Sequence, residues 1–161
     1  MSANNAIVEK QKIIMAVAPV DMTDAGVTGV AVSLKNVQHV TVIIGIGAYA
    51  GGTPAVAFAQ ATNVAFGTTK ALTDIDYSWK SDAAGEALTK SDLTAGTLNL
   101  AADDDTKYYI FEIDANRLDK SNGYDCFRCT VATPGTNADL ICMFYILSGL
   151  RNGAGAVSLT D

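Results

Sequence analysis

The sequence is poor in charge and in the residues that most catalytic sites use. Only 17% of its 161 residues are charged, 17 acidic residues outnumber 11 Lys and Arg, and one residue is a histidine. Nucleic-acid binding needs clustered cations that displace the counterions of phosphates, yet the densest basic stretch is Glu9-Lys10-Gln11-Lys12. A formal net charge of −6 therefore predicts no nucleic-acid partner.

Long hydrophobic runs are also missing. The most apolar stretches, residues 13–20 and 40–50, are too short to cross a bilayer. The first ten residues lack the basic start and the following apolar stretch that mark a secretion signal. We expect no membrane partner and synthesis in the cytoplasm.

Three cysteines cannot all pair within one chain. Cys126 and Cys129 have the spacing of zinc and dithiol sites, but only Cys142 and His39 remain as soft ligands for a zinc ion. Residues three apart on a strand point to opposite faces, which separates the two thiols. Buried, unreactive thiols without a metal or cofactor are the interpretation that this pattern favours.

The other catalytic motifs are incomplete. His39 lies in an apolar stretch without an identifiable nucleophile or orienting acid, which favours a structural histidine. The glycines of residues 45–51 resemble a dinucleotide-binding loop, but a strand follows them instead of a helix, so a hairpin loop is predicted. Residues 103–105, all Asp, lack the ligand spacing of a calcium loop and predict an exposed acidic turn. These patterns predict that the chain is not an enzyme.

Short apolar or alternating runs separated by turn residues predict an all-β fold. The predicted strands are Lys12–Ala18, Gly29–Leu34, Gln38–Ile44, Ala55–Thr62, Thr73–Lys80, Glu86–Thr89, Thr97–Leu100, Tyr108–Asp114, Asp125–Ala132 and Leu140–Ser148. One short helical turn is expected over residues 114–119, with Asp114 as its cap. We predict a β-sandwich of about eight to ten strands over residues 21–150. Residues 1–20 would form an arm or a first strand, and residues 151–161 a flexible tail.

Two predicted strands have distinctive faces. Ala55–Thr62 places four alanines on one face, which permits close approach by another sheet or chain. Leu140–Leu147 is continuously apolar, which predicts a central strand buried on both faces.

Several segments resemble those of a family of small tailed-phage virion proteins, the capsid decoration or cement proteins. They are Val32–Asn36, Ala59–Val64, Ile113–Ala115 with Leu118-Asp119, Asn122–Asp125, Pro134–Leu140 and Tyr145–Gly149. The resemblance implies a β-sandwich, with the jelly roll as one form, that sits on the outside of an assembled capsid. The protein itself would be made in the host cytoplasm. It also implies a structural role that bridges capsomers, the major capsid protein as partner, and a homo-oligomer.

Apolar residues near the N-terminus are the predicted interface of such a protein. Residues 7–20 could reach a neighbouring subunit or form the first strand of the chain's own sheet. The predicted interface residues are Ile7, Val8, Ile13, Met15, Val17 and Met22.

Two other functions remain open at this point. A tail-tube or other ring-forming virion protein would also be acidic and rich in strands. A carbohydrate or receptor binding module could use Trp79 and the pair Tyr108-Tyr109, although aromatic residues in strands more often pack in cores.

Overall fold

The computed structural model describes residues 7–101 and 103–151, apart from the side chains of Val8 and Glu9. The described residues form two antiparallel sheets, which confirms the all-β sandwich. The strands are β1 (Lys12–Asp21), β2 (Val27–Thr28), β3 (Val32–Ser33), β4 (His39–Tyr49), β5 (Ala55–Ala61), β6 (Thr69–Ala71), β7 (Tyr77–Ser81), β8 (Leu88–Asp92), β9 (Leu98–Asn99), β10 (Tyr108–Asp114), β11 (Cys126–Val131) and β12 (Asp139–Ser148).

The two sheets differ in regularity. Sheet A has the strand order β1-β12-β4-β10-β7-β8, and long central strands give it continuous pairing. Sheet B has the order β2-β11-β5-β6, with the short strands β3 and β9 added beside β11 and β5. The jelly-roll form of the sandwich stays a prediction.

The core lies between the sheets and is built from alternate residues of each strand. Phe58 of sheet B meets Phe111 of sheet A edge to face at 5.0 Å, and Phe127 meets Tyr145 at 5.5 Å. Burying one large side chain of this kind stabilises the fold by about 1.5–3 kcal/mol. The Tyr145 hydroxyl accepts a hydrogen bond from the backbone N–H of Cys129 at 2.9 Å, so it also links the two sheets.

The predicted hairpin loop at residues 45–51 is wrong, because β4 continues to Tyr49. Gly45 and Gly47 lie within the strand, where side chains of β12 occupy the space beside them. A Cβ atom at Gly45 would lie 3.0 Å from the Cys142 sulfur, and one at Gly47 would lie 2.9 Å from Leu140 Cδ2. The glycines therefore permit close packing of a neighbouring strand rather than a turn.

Among the described residues, helical structure is limited to single turns. A short helix α1 covers Ile7–Lys10, and two 3₁₀ turns cover Ala115–Arg117 and Lys120–Asn122. The predicted cap is wrong, since Asp114 makes no side-chain capping bond and its carboxylate contacts His39 instead.

Within the first predicted region, residues 12–20 belong to β1, which pairs antiparallel with β12 of the chain's own sheet. The boundaries of the predicted regions 1–20, 21–150 and 151–161 stay predictions, and residues 152–161 lie outside the described residues. In the part of the chain that the structure describes, no helix is long and apolar enough to cross a membrane.

Candidate functional site

An apolar row crosses the outer face of sheet A, the face turned away from sheet B. Cross-strand pairing places five residues side by side on five adjacent strands. This outer row, in spatial order, is Met15, Phe144, Ile43, Ile110 and Trp79. Directly opposite residues of antiparallel strands project from the same face, so the five side chains form one surface.

The outer row does not belong to the core. Met15 is 54% exposed, the other four side chains are half-buried, and neither hydrophobic cluster of the described residues includes any of them. The alternate residues Val42, Ile44 and Phe111 are fully buried on the inner face. Along this row sheet A therefore carries apolar side chains on both faces, while only the inner face contributes to the core.

Strand β12 shows the same division and corrects an expectation. Ile141, Met143 and Tyr145 are buried, whereas Cys142 and Phe144 on the other face are only half-buried. The prediction that this strand is buried on both faces is wrong for the chain by itself, because no second layer of the described core covers its outer side.

Strand β1 forms one of the two edges of sheet A, opposite β8, and no further strand of the described residues pairs with it. Its outward residues Ile13 and Met15 are 50% and 54% exposed, and Ile7 of α1 is 58% exposed. Register shifts interrupt the pairing with β12 after Met15, and Pro19 lies in the irregular part. The β1 edge thus combines large exposed apolar side chains with an irregular backbone.

The predicted interface residues do not all share this edge. Val17 is half-buried against the core, and Met22 is fully buried within it. The side chain of Val8 lies outside the described residues. The exposed part of the predicted set is therefore Ile7, Ile13 and Met15, and its role as an interface stays a prediction.

An open cleft of about 300 Å³ adjoins the outer row, between β4 and β12. Its lining is almost wholly apolar because Gly45 and Gly47 have no side chains, and Pro19 and Leu140 flank it. The cleft extends the apolar surface toward the end of the sheet.

A polar cluster lies at one corner of sheet A. His39 Nδ1 lies 2.9 Å from Asp114 Oδ1, and His39 Nε2 contacts Glu112. The Thr41 hydroxyl donates to the same Glu112 oxygen at 2.8 Å. Partial burial is the largest effect and lowers the pKa of His39, but the bonds to Glu112 and Asp114 outweigh it and raise that pKa overall.

This cluster is arranged as a set of mutual ion pairs. Both ring nitrogens of His39 contact carboxylates, so neither is available to a substrate. Nearby, Arg117 pairs with Asp74 at 2.6 Å and with Asp76 at 3.1 Å. Among residues 7–101 and 103–151, no group of three or more His, Cys, Asp or Glu is placed to hold a metal ion.

The cysteines lie in different surroundings. Cys129 is in the main core, where burial raises the pKa of its thiol, and Cys126 is buried in a separate cluster with Ala61 and Phe66. Cys142 is half-buried on the outer face of sheet A. The C-x-x-C spacing therefore does not bring two thiols to one site.

The predicted exposed turn at residues 103–105 is wrong at its central position. Asp104 is fully buried, accepts hydrogen bonds at 2.7 Å from the Ala101 N–H and the Tyr109 hydroxyl, and contacts the Lys80 ammonium. Burial and the bond to Asp104 raise the pKa of Tyr109. This carboxylate joins the loop before β10 to strands β7 and β10.

The aromatic residues proposed for ligand stacking are dispersed. Tyr109 is buried, while Trp79 and Tyr108 are half-buried. The Trp79 ring packs edge to face on Tyr77 at 6.2 Å, and the Lys90 ammonium lies 4.0 Å from the centre of the Tyr77 ring.

Comparisons with known proteins place no family on the chain. No protein-family model matches it, and no curated protein matches it by sequence. The structure is similar to that of the SPBc2 prophage-derived protein YomS, with a TM-score of 0.46, 9% identity, and 86% of this chain and 93% of that chain covered. It is also similar to a structure of infectious bursal disease virus Gt strain, with a TM-score of 0.26, 10% identity, and 95% and 45% covered. Likenesses of this extent carry no argument about function.

Proposed function

We propose that this chain is a structural virion protein that binds the outside of a phage capsid and stabilises it by bridging capsomers. The observation that carries the proposal is the β1 edge of sheet A, where Ile7, Ile13 and Met15 are each at least half exposed. Large apolar side chains gathered at one edge favour a contact with another protein. The resemblance of the sequence to capsid decoration proteins suggests that this other protein is the major capsid protein of a phage.

The backbone of β1 suits a defined contact better than open-ended strand addition. Register shifts and Pro19 break the regular pairing pattern that a further strand would need. Contact through side chains would then dominate, and many weak contacts on one shell add through multivalency.

The charge of the chain is compatible with the exterior of a capsid. A net charge of −6 opposes binding to packaged DNA, since phosphates repel an acidic surface. The paired state of His39 and the buried thiol of Cys129 offer no obvious nucleophile or base for catalysis.

The proposal is tested by adding the purified chain to DNA-free capsids of its phage and measuring bound copies by co-sedimentation. We expect Ile13→Glu to weaken binding by about tenfold or more, because it places a charge in an apolar contact. Leu88→Glu is the matched control, since Leu88 is also exposed, at 45%, but lies on β8 at the opposite edge of sheet A. Deletion of residues 1–11, which removes Ile7, should abolish binding.

Equal binding by the wild type, Ile13→Glu and the deletion would contradict the proposal. Binding lost equally in Ile13→Glu and Leu88→Glu would contradict the assignment of the β1 edge. A tail-tube or ring-forming protein is the second candidate, which the apolar outer row favours. Rings or tubes formed by the purified chain without capsids would support it.

A further inference from the structure

A polar cleft of about 410 Å³ opens at the end of sheet A where β12 finishes and β4 begins. Its lining comes from three parts of the chain: the entry to β4, the turns that follow β10, and the segment after β12. The lining residues are Val37, Gln38, Asp114, Asn116, Lys120 and Arg151. The fold thus collects two cations, Lys120 and Arg151, that are distant in the sequence.

Main-chain contacts hold the three parts of the cleft together. The Ala115 N–H donates to the Gln38 carbonyl at 2.8 Å. The Arg151 N–H donates to the Asn36 carbonyl at 3.2 Å. Gly149 has a φ of +63°, and a Cβ atom there would lie 2.6 Å from Gln38 Cβ. A glycine therefore lets the chain turn closely past Gln38 and bring Arg151 to the cleft.

Lys120 and Arg151 are the two cations of the described residues whose charged groups have no partner. Within residues 7–101 and 103–151, every other Lys and Arg makes an ion pair, a ring contact or another polar interaction. Both unpaired side chains are exposed, and both line the same cleft. Like charges that share a cleft repel each other, and a bound anion would remove that cost.

One carboxylate also lines the cleft, but it is already engaged. Asp114 Oδ1 lies 2.9 Å from His39 Nδ1. Two cations and this one carboxylate leave the lining with a formal excess of one positive charge, whereas the whole chain has a net charge of −6. The cleft is therefore a local positive region on an acidic protein, which favours an anionic ligand.

We propose that this cleft binds a carboxylate side chain of a partner protein. The guanidinium of Arg151 offers a planar set of donors that matches a carboxylate, and Lys120 adds a point charge. The side-chain amides of Gln38 and Asn116 can form hydrogen bonds with the peptide that carries the carboxylate. A nucleic acid fits less well, because the rest of the acidic chain repels a polyanion.

The position of the cleft points to the partner that contacts the β1 edge. Ile13 of that edge pairs with Ile146, close to the end of β12 and five residues before Arg151. A protein that covers Ile13 would therefore lie beside the cleft. The identification of this partner as the major capsid protein rests on the proposed function, whereas the carboxylate site itself does not.

The first test needs no capsid and uses an acetylated and amidated Glu-Glu dipeptide as the probe. NMR of the full chain should show saturable shifts of the side-chain amide signals of Gln38 and Asn116. The dissociation constant should be millimolar at low salt, since exposed ion pairs are individually weak. The blocked Gln-Gln dipeptide should give no shifts, and neither should the Glu-Glu dipeptide with the double variant Lys120→Gln and Arg151→Gln.

The matched control is the double variant Lys35→Gln and Lys70→Gln. It also removes two exposed cations, but these are paired with Asp125 and Asp119. It should bind the Glu-Glu dipeptide like the wild type. Both double variants should unfold like the wild type, because the four substituted side chains are exposed.

Two results of this first test would overturn the site. One is the absence of shifts with the Glu-Glu dipeptide, or their loss in both double variants alike. The other is an equal response to inorganic phosphate, which would show a general anion site instead of one for a protein carboxylate.

The second test is co-sedimentation with DNA-free capsids. Lys120→Gln with Arg151→Gln should weaken binding by about tenfold, and the remaining binding should depend less on salt. The control pair should change binding by about twofold or less. A wild type that binds the dipeptide but not capsids would contradict only the proposed function. Capsid binding that is unchanged in the cleft variant, or equally weakened in both variants, would contradict only the role of the cleft.

Discussion

The two sheets treat their outer faces differently. Sheet B carries small or polar residues there, with Ala59 between Arg128 and Ala71. The chain's own Phe66 packs over this face in a cluster with Ala61 and Cys126, and the Arg128 guanidinium lies 3.9 Å from the Phe66 ring centre. Sheet A carries the apolar outer row instead, and no corresponding cluster of the described residues includes that row.

This difference shows how burial is divided between the fold and its partners. On sheet B, the small side chains leave room for the loop that carries Phe66. That part of the outer face is therefore covered by the chain itself. On sheet A, the outer face carries the large apolar side chains of Phe144, Ile43 and Ile110. A row of such side chains is unusual on a face that is exposed to water. The inner side of sheet A and both sides of sheet B therefore contribute to the described hydrophobic clusters, whereas the outer row of sheet A does not.

The largest expected effect comes from changing the buried carboxylate of Asp104, which joins the loop before β10 to strands β7 and β10. Asp104→Asn would remove the buried carboxylate beside Lys80 and leave that ammonium only the exposed Asp103 at 3.4 Å, and we expect a loss of about 3 kcal/mol in the free energy of unfolding. Urea denaturation would measure it. Asp103→Asn is the control, because it removes the other carboxylate beside Lys80 but that side chain is 74% exposed, so its effect should be much smaller. Equal effects of the two variants would contradict a structural role for the buried carboxylate.

A smaller effect is expected from uncovering sheet B. Phe66→Ala should cost about 2–3 kcal/mol, because it removes the ring that packs on Cys126 and Arg128. The Cys126 thiol should then react with a thiol reagent in the native protein. Phe144→Ala should cost only about 1 kcal/mol, since that ring is half-buried. If Phe144→Ala lowered the free energy of unfolding more than Phe66→Ala, the outer face of sheet A would contribute more to the fold than that of sheet B, and the comparison would be wrong.

The smallest expected effect is the pH dependence from His39. Its pKa is raised in the folded chain, so its ion pairs stabilise the fold fully below the unfolded value of about 6.5. That contribution is lost as the pH rises through the folded pKa. Thermal unfolding of the wild type and His39→Gln, measured from about pH 5 to about pH 9, should therefore converge at high pH. A difference that grows with pH would contradict the assigned contacts with Glu112 and Asp114.

Strand positions were predictable where local patterns determine them. Tyr108–Asp114 has the predicted bounds, and β5, β11 and β12 differ from prediction by one residue at one or both ends. Apolar alternation between turn residues carries this information locally. The short strand Thr69–Ala71 was not predicted, because its polar sequence has no such alternation and it forms only beside β5.

Features that depend on distant partners were not predictable. Gly45 and Gly47 look like turn residues until β12 is placed beside them, and the burial of Asp104 requires Lys80 and Tyr109 from other strands. The outer row was missed for the same reason, since it is defined by the register of five strands. The continuous apolar run of β12 was the available signal, because it required a cover on both faces.

The most direct test of the proposed role is cryo-electron microscopy of virions purified from the phage that encodes this chain. The account predicts density for the β-sandwich on the outer capsid at joints between capsomers, with the β1 edge toward the shell. Density confined to the tail, or absence of the chain from the particle, would contradict it.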